Sequence, residues 1–287
     1  MEGAPVLQAR RLQRATKAGA WLTVQPSTVN GTEIEAQECR NALFLRYGLK
    51  PLDLSTHCDG CQAKFLISHT FYCKKGGLVT ARHNELRDGV ADLAGKAFTP
   101  SHVRDDLLIY SGRAVKRTKA APSGAGGTSK HEEVQMPEVT EYKGNLLIRD
   151  LWQQETDSVH DMRVVNTDNL THRTKGPEKC LHKAEQGEKN MYLEACLQQL
   201  WHFSPFVALV DGMMGVEATS TLKRLASRLA TKWKQYYYKT CGYVKSRIAI
   251  TLVHATHHCI RGSRVPTHRI SFQRPQWENG VGINLFR

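Results

Sequence analysis

Four metal-binding side chains fall within a 16-residue stretch, in the order Cys58-x2-Cys61-x7-His69-x3-Cys73. No other feature of the sequence restricts the fold as much. Two cysteines separated by two residues can bend around one tetrahedral ion, and a histidine and a cysteine from the next turn complete the shell. The spacing predicts a small zinc knuckle. With all four positions filled by protein there is no open site for a metal-bound water, so the zinc is expected to be structural. The metal also keeps the thiolates ionised at neutral pH. The alternative is a chance grouping of reduced, buried cysteines.

The remaining cysteines, Cys39, Cys180, Cys196, Cys241 and Cys259, are scattered through apolar helical stretches of a 287-residue chain. A disulfide framework belongs to short secreted chains. Met1 to Ala20 lacks the apolar core of a secretory signal, and no run of 18 apolar residues exists to span a membrane. Arg10, Arg11, Arg14 and Lys17 suggest a mitochondrial presequence, against which Glu2 and Pro5 weigh. The expectation is an intracellular protein with reduced thiols. Lysine and arginine total 40 against 27 acidic residues, a net charge of +13. Such an excess points to a polyanionic partner, since each neutralised phosphate releases condensed counterions. DNA or RNA is expected, and no membrane.

Along the chain, residues 1–57 read as a helical lead-in, with a helix over Glu33 to Tyr47 closed by Gly48. The CCHC knuckle occupies 58–83. A helix follows over Arg82 to Phe98, with Asn84 as its N-cap, and then a short strand over Leu107 to Tyr110. The stretch 112–141 is rich in Gly, Ser and Ala around Ala120 to Lys130 and reads as a disordered insertion. Strands are expected over Leu146 to Trp152, Val159 to Val165 and Phe206 to Val210. Helices are expected over Lys183 to Leu200, Val216 to Trp233 and Tyr243 to Ile260. A Pro-punctuated basic tail fills 265–287. Alternating strands and helices predict an α/β or α+β domain over 84–264.

Cys58-Asp-Gly-Cys61, Ser68-His69, Cys73-Lys-Lys-Gly-Gly77 and Arg82-His83-Asn84-Glu85 are followed by Ile148-Arg-Asp-Leu-Trp152 and His160-Asp-Met-Arg-Val-Val-Asn166. Then come Glu188-Lys189-x-x-Tyr192, His202-Phe-Ser-Pro-Phe206 and Arg261-Gly-Ser-Arg264. This ordered series resembles the C-terminal endonuclease region of non-LTR retrotransposon polyproteins, over roughly residues 20 to 264. In that family the region follows the reverse transcriptase, whose motifs are not found in this sequence. The resemblance implies a restriction-endonuclease-like, PD-(D/E)XK-type domain with a small central mixed sheet flanked by helices. It also implies a nuclear DNA-nicking activity dependent on Mg²⁺, and a reverse transcriptase as partner in the parent polyprotein.

Residue by residue, the resemblance makes Asp161 a metal ligand. Lys189 and Tyr192 match its lysine-tyrosine helix motif, and Glu185 and Glu188 precede them, Glu185 as a further catalytic candidate. Arg82 and His83 match its Arg-His-Asn motif and would contact phosphate at a helix start, joined by Lys74 and Lys75 beside the knuckle. The residues themselves leave other readings open. Asp161 is equally read as a strand-edge carboxylate paired with Arg163, and Glu185 with Lys189 as an ordinary i,i+4 helix pair. His254 and His258, four apart beside His257 and Cys259, read as a coincidence in a chain with 13 histidines. The sequence departs from the family at Asn145, which stands where the first metal aspartate belongs. An amide can ligate Mg²⁺ but brings no charge. Two functions are therefore expected in competition: an Mg²⁺-dependent nicking enzyme, impaired at Asn145, or a non-enzymatic zinc-dependent DNA- or RNA-binding remnant.

Overall fold

Gly76 and Gly77 carry the chain out of the cysteine cluster with positive φ angles of 73° and 69°, a conformation glycine adopts without penalty. The computed structural model, which describes residues 3–113, 139–167, 172 and 175–265, shows a helix starting directly after this pair. The helix N-cap is Gly77, not Asn84 as expected, and the helix runs over Leu78–Ala97. Leu78 is the reason for the earlier start: it packs against Phe71, Cys259 and Ile260, and that contact extends the helix toward the cysteine cluster.

The helices, in chain order, are α1 (Gly3–Thr16), α2 (Ala36–Arg46), α3 (Ile67–Thr70), α4 (Leu78–Ala97), α5 (Pro177–Gln198), α6 (Val216–Trp233) and α7 (Tyr237–Arg261). The strands are β1 (Val103–Arg113), β2 (Val139–Arg149), β3 (Asp157–His160), β4 (Met162–Val165), β5 (His202–Phe203) and β6 (Phe206–Leu209). The mixed α/β class expected from the sequence is what forms. Of the stretch 112–141 expected as a disordered insertion, residues 112, 113 and 139–141 belong to β1 and β2. The rest of it, 114–138, and the basic tail over 266–287 lie outside the described residues.

β1, β2 and β3 pair antiparallel, and β5 returns parallel to β3 after α5 has crossed over. β4 pairs parallel with β6. The strand expected over Val159 to Val165 is thus interrupted at Asp161. Opposite the interruption stands Pro205, whose missing N–H lies on the side away from this pairing, because Ser204 and Phe206 are the donors to it. Ser204 N donates to Val159 O at 3.0 Å before the break, and Phe206 N donates to Asp161 O at 2.8 Å after it. The interruption leaves Asp161 between two strand pairs.

Side-chain alternation along β2 sends Leu146 and Ile148 to one face and Leu147 to the other. The first face meets Leu86, Val90 and Leu93 of α4 and Leu225 and Leu229 of α6, all fully buried. The second meets Ala195 and Cys196 of α5. The stripe Leu222, Leu225, Ala226, Leu229 places α6 as the helical period predicts. α7 starts earlier than expected, at Tyr237, and is covered from both sides. Val244 and Ile248 join the α4–α6 core, while Ala249, Ile250 and Val253 hold Trp21 of the lead-in. The lead-in therefore shares a core with the rest of the chain. Among the described residues, no helix is long and apolar enough to cross a membrane.

Candidate functional site

The knuckle begins as a tight hairpin. Gln62 N donates to Cys58 O at 2.9 Å and Cys58 N to Ala63 O at 2.8 Å, turning the chain so that both thiols face the same way. α3 supplies His69, and Cys73 N donates to His69 O at 3.0 Å one turn on. The Sγ atoms of Cys58 and Cys73 are 3.8 Å apart, those of Cys61 and Cys73 are 3.9 Å apart, and His69 Nε2 is 3.2 Å from Cys61 Sγ. All four ligand atoms lie within 4.8 Å of one another. Zn–S bonds of ~2.3 Å at tetrahedral angles require sulfurs ~3.8 Å apart. The group can hold a metal ion, and its donors and spacing fit a structural zinc.

The thiols already show the electrostatic need for a cation. Burial raises the Cys58 thiol, but the Cys61 backbone, His69 and the Gly60 backbone outweigh it and bring it down to about 6. For Cys61 the Ala63 backbone pulls downward, yet burial and the neighbouring sulfurs of Cys58 and Cys73 leave it raised. A bound cation removes that mutual repulsion between thiolates.

The knuckle and the chain before it are tied to the C-terminal end of α7. Asp59 Oδ2 accepts from Arg264 N at 2.7 Å and Ser263 Oγ at 2.8 Å. The Arg264 side chain, 4% exposed, donates to Cys259 O at 2.9 Å. It runs so close to Gly60 and Gly76 that a Cβ at either position would strike it. Arg261 Nη1 donates to Asp53 O at 2.8 Å. The Arg-Gly-Ser-Arg segment is a clamp, a role its sequence alone does not reveal.

Arg82 does not sit where a phosphate contact was expected. It is 4% exposed, donates to Phe71 O at 3.3 Å and lies over the Phe71 ring. Because α4 starts at Leu78, Arg82 falls in its second turn and faces the knuckle. Lys74 and Lys75, by contrast, are exposed beside the metal group.

A second group forms at the strand interruption. Asn145 lies one step beyond the Leu146–His160 pair, opposite Asp161. Its Oδ1 accepts from Met162 N at 2.7 Å and from His83 Nε2 at 2.9 Å. Asp161 is 8% exposed. Burial, then the adjacent Glu188 carboxylate, push its carboxyl up to about 8, against the pull of Arg163. Arg163 Nη1 donates to Glu188 Oε1 at 2.5 Å rather than pairing with Asp161.

The other expected residues gather elsewhere. Glu185, 3% exposed, accepts from Glu217 N at 3.1 Å and so satisfies a donor at the start of α6. Gly215 leaves the space for that carboxylate. Burial raises the Glu185 pKa, with the Glu217 backbone opposing. Lys189 forms its ion pair with Glu217, so Glu185 and Lys189 meet through a third residue instead of pairing with each other. Tyr192 packs against Phe203, ring centroids 5.5 Å apart, on the α5 face of the sheet. His254 bonds to Glu38 at 2.8 Å and His257 to Asn41 at 3.0 Å, tying α7 to α2. Asp161, Asn145 and His83 are thus brought together with Glu188 beside Asp161, while Glu185, Lys189 and Tyr192 are engaged elsewhere.

Neither the models of known protein families nor the curated proteins match this sequence. The site must be read from its own chemistry.

Mg²⁺ asks for several hard anionic oxygens. Here Asp161 and Glu188 are the carboxyls, Glu188 is held by Arg163, and the facing amide oxygen of Asn145 already accepts twice. The group therefore offers two carboxyls and a neutral amide where the resemblance expects a further carboxylate. Among the described residues, the Cys/His group is the cluster of three or more ligand side chains close enough for a metal.

The raised Asp161 pKa carries a sign. Above about pH 4 the unfolded chain loses this proton while the folded chain keeps it up to about pH 8. The folded state then binds more protons, so this group's contribution falls as pH rises through that window, by at most about 1.4 kcal/mol per unit. His160, brought down to about 4 by burial, acts oppositely and withdraws stability as pH falls below about 6.5. Asp161→Asn removes only the first contribution. Urea midpoints measured from pH 5 to 8 are expected to show the variant gaining on the wild type as pH rises. Parallel curves would refute the assignment.

Proposed function

We propose that the chain is a zinc-stabilised nucleic-acid-binding module on a restriction-endonuclease-like core that does not cut, derived from the C-terminal region of a non-LTR retrotransposon protein. The observation that carries this reading is Asn145. Where the resemblance expects a metal carboxylate stands an amide whose oxygen serves Met162 N and His83. The two carboxyls left nearby, Asp161 and Glu188, bring one negative charge fewer than a group with aspartate at 145, and Arg163 is paired with one of them.

The element order supports the endonuclease-like part: a helix, three antiparallel strands, a crossover helix and a parallel strand. The net charge of +13 and the exposed Lys64, Lys74 and Lys75 around the knuckle support binding to phosphate. In this reading the partners are DNA or RNA and the reverse transcriptase of the parent polyprotein, and the compartment is the nucleus.

The test has two parts. Purified protein and its Asp161→Ala variant are incubated with supercoiled plasmid and Mg²⁺ or Mn²⁺, and equal nicking is expected. Binding to labelled duplex DNA is expected to weaken steeply with salt, log K falling linearly against log salt. Cleavage above the Asp161→Ala control would replace this reading with the active Mg²⁺-dependent enzyme. Binding no tighter at low salt than that of a neutral control protein would remove the nucleic-acid reading itself.

A further inference from the structure

Three tyrosines in succession, Tyr236, Tyr237 and Tyr238, stand at the turn from α6 into α7. Tyr236 and Tyr238 are 70% and 69% exposed, an unusual position for rings of this size. Their centroids are 5.8 Å apart and their planes differ by 22°, so they stack on each other as an exposed pair of nearly parallel rings. Tyr237 points differently, toward the Cys241 thiol on its own helix.

The flanking helix ends are tied to the core. Trp233 and Tyr243 meet edge to face, centroids 5.5 Å apart, and Tyr243 belongs to the main core. Lys232 donates to the carbonyls of Lys96 and Phe98, each at 2.7 Å, fixing the end of α6 onto α4. The chain that carries the rings is therefore anchored to the core on both sides of the turn.

Their surroundings are cationic. From Ala218 to Lys245 the sequence has seven lysines and arginines and no aspartate or glutamate. Lys234 is exposed beside the rings, and Lys223, Arg228 and Lys245 are exposed on the same two helices. Stacked aromatic faces within a basic field match a ligand that shows both flat π-faces and phosphates. A duplex buries its base faces in its own stack. A single strand exposes them.

Resting on the nucleic-acid reading above, we propose that Tyr236 and Tyr238 form a base-stacking platform for single-stranded nucleic acid, with the basic residues of α6 and α7 following the backbone. The platform is separate from the knuckle and from the Asp161 group, and gives the module a preference for unpaired over paired strands at this surface.

The experiment compares wild type, Tyr236→Ala/Tyr238→Ala and Tyr236→Phe/Tyr238→Phe, using fluorescence anisotropy with labelled oligothymidylate and a labelled duplex at fixed salt. The alanine pair is expected to weaken oligothymidylate binding by about ten- to a hundredfold. Duplex binding should change by less than about twofold, and the phenylalanine pair should bind both like wild type, since stacking needs the ring and not the hydroxyl. Because both rings are exposed, the three proteins should melt together. Wild-type affinity for oligothymidylate in the alanine pair would overturn the platform, as would equal losses on both ligands. Wild type that binds duplex but not oligothymidylate would overturn the platform and leave the general reading standing. Wild type that binds neither would overturn both.

Discussion

Stripping the metal is expected to cost the chain most of its stability, and Cys73→Ser is expected to do the same permanently. The knuckle has little else to hold it. Phe65 is the main apolar side chain buried with Cys58 and Cys73. A site of this type contributes its binding free energy directly to folding, of order 10 kcal/mol in isolated zinc-finger peptides, because the unfolded chain has no preformed site. A whole domain is stable by only about 5–15 kcal/mol. The loss would not stay local. Asp59, Gly60 and Gly76 close around Arg264, so a loosened knuckle releases the end of α7 and uncovers Leu78 and Cys259 beneath it. Each kcal/mol shifts the melting temperature of a domain this size by about 2–4 °C, so a drop of 10 °C or more is expected with a strong chelator. Metal analysis should return one zinc per chain for the wild type and none for Cys73→Ser, whose melting should ignore the chelator. A wild-type protein that carries no zinc and melts identically with and without chelator would refute the metal assignment.

The parts of the fold that the sequence reveals are those specified locally. The α6 stripe repeats at helical spacing over the whole element, and the knuckle ligands bend around one point within a few turns, so both are visible without tertiary information. The parts it hides depend on residues far along the chain. The start of α4 was misplaced because a polar N-cap at Asn84 is a good local signal, while the deciding contacts of Leu78 come from Cys259 and Ile260. Arg82 looked like a phosphate contact because nothing in its neighbourhood says that the knuckle folds back over it. The strand through Asp161 reads as continuous on its own, because the change of pairing from β3–β5 to β4–β6 at Asp161 involves a strand about 40 residues further along. In the acidic group the sequence names both Glu188 and Lys189 but not the direction either side chain takes. Glu188 and Lys189 differ by about 100° around α5, and that angle decides which one faces Asp161 and which one faces Glu217. The motif was legible; the direction of its side chains was not.

Asn145→Asp is expected to convert the group into one that takes up Mg²⁺. The substitution is close to isosteric, and a carboxylate oxygen can accept from Met162 N and His83 Nε2 as the amide oxygen does. What changes is charge. A new carboxylate would face Asp161 with Glu188 close by, three acids in a largely buried space, and like charges at this distance repel strongly. Without a divalent ion the variant is therefore expected to melt below wild type. With Mg²⁺ the repulsion is relieved and the three carboxyls provide the hard anionic oxygens the ion prefers, so melting should recover in proportion to ion concentration. Wild type should show no such dependence. If the remaining architecture is that of a nuclease, plasmid nicking should rise with the same ion dependence. Single electrostatic groups in active sites are worth about a hundred- to a thousandfold, so the gain should exceed background by about a hundredfold or more and vanish in Asn145→Asp/Asp161→Ala. The two readouts separate two claims. Mg²⁺-dependent melting without nicking would show that the acids converge and that other parts of a cutting site are missing, as the engagement of Lys189 with Glu217 already suggests. No Mg²⁺ response in either readout would mean that Asn145, Asp161 and Glu188 do not converge on one ion, and the endonuclease-like interpretation of this group would have to be given up.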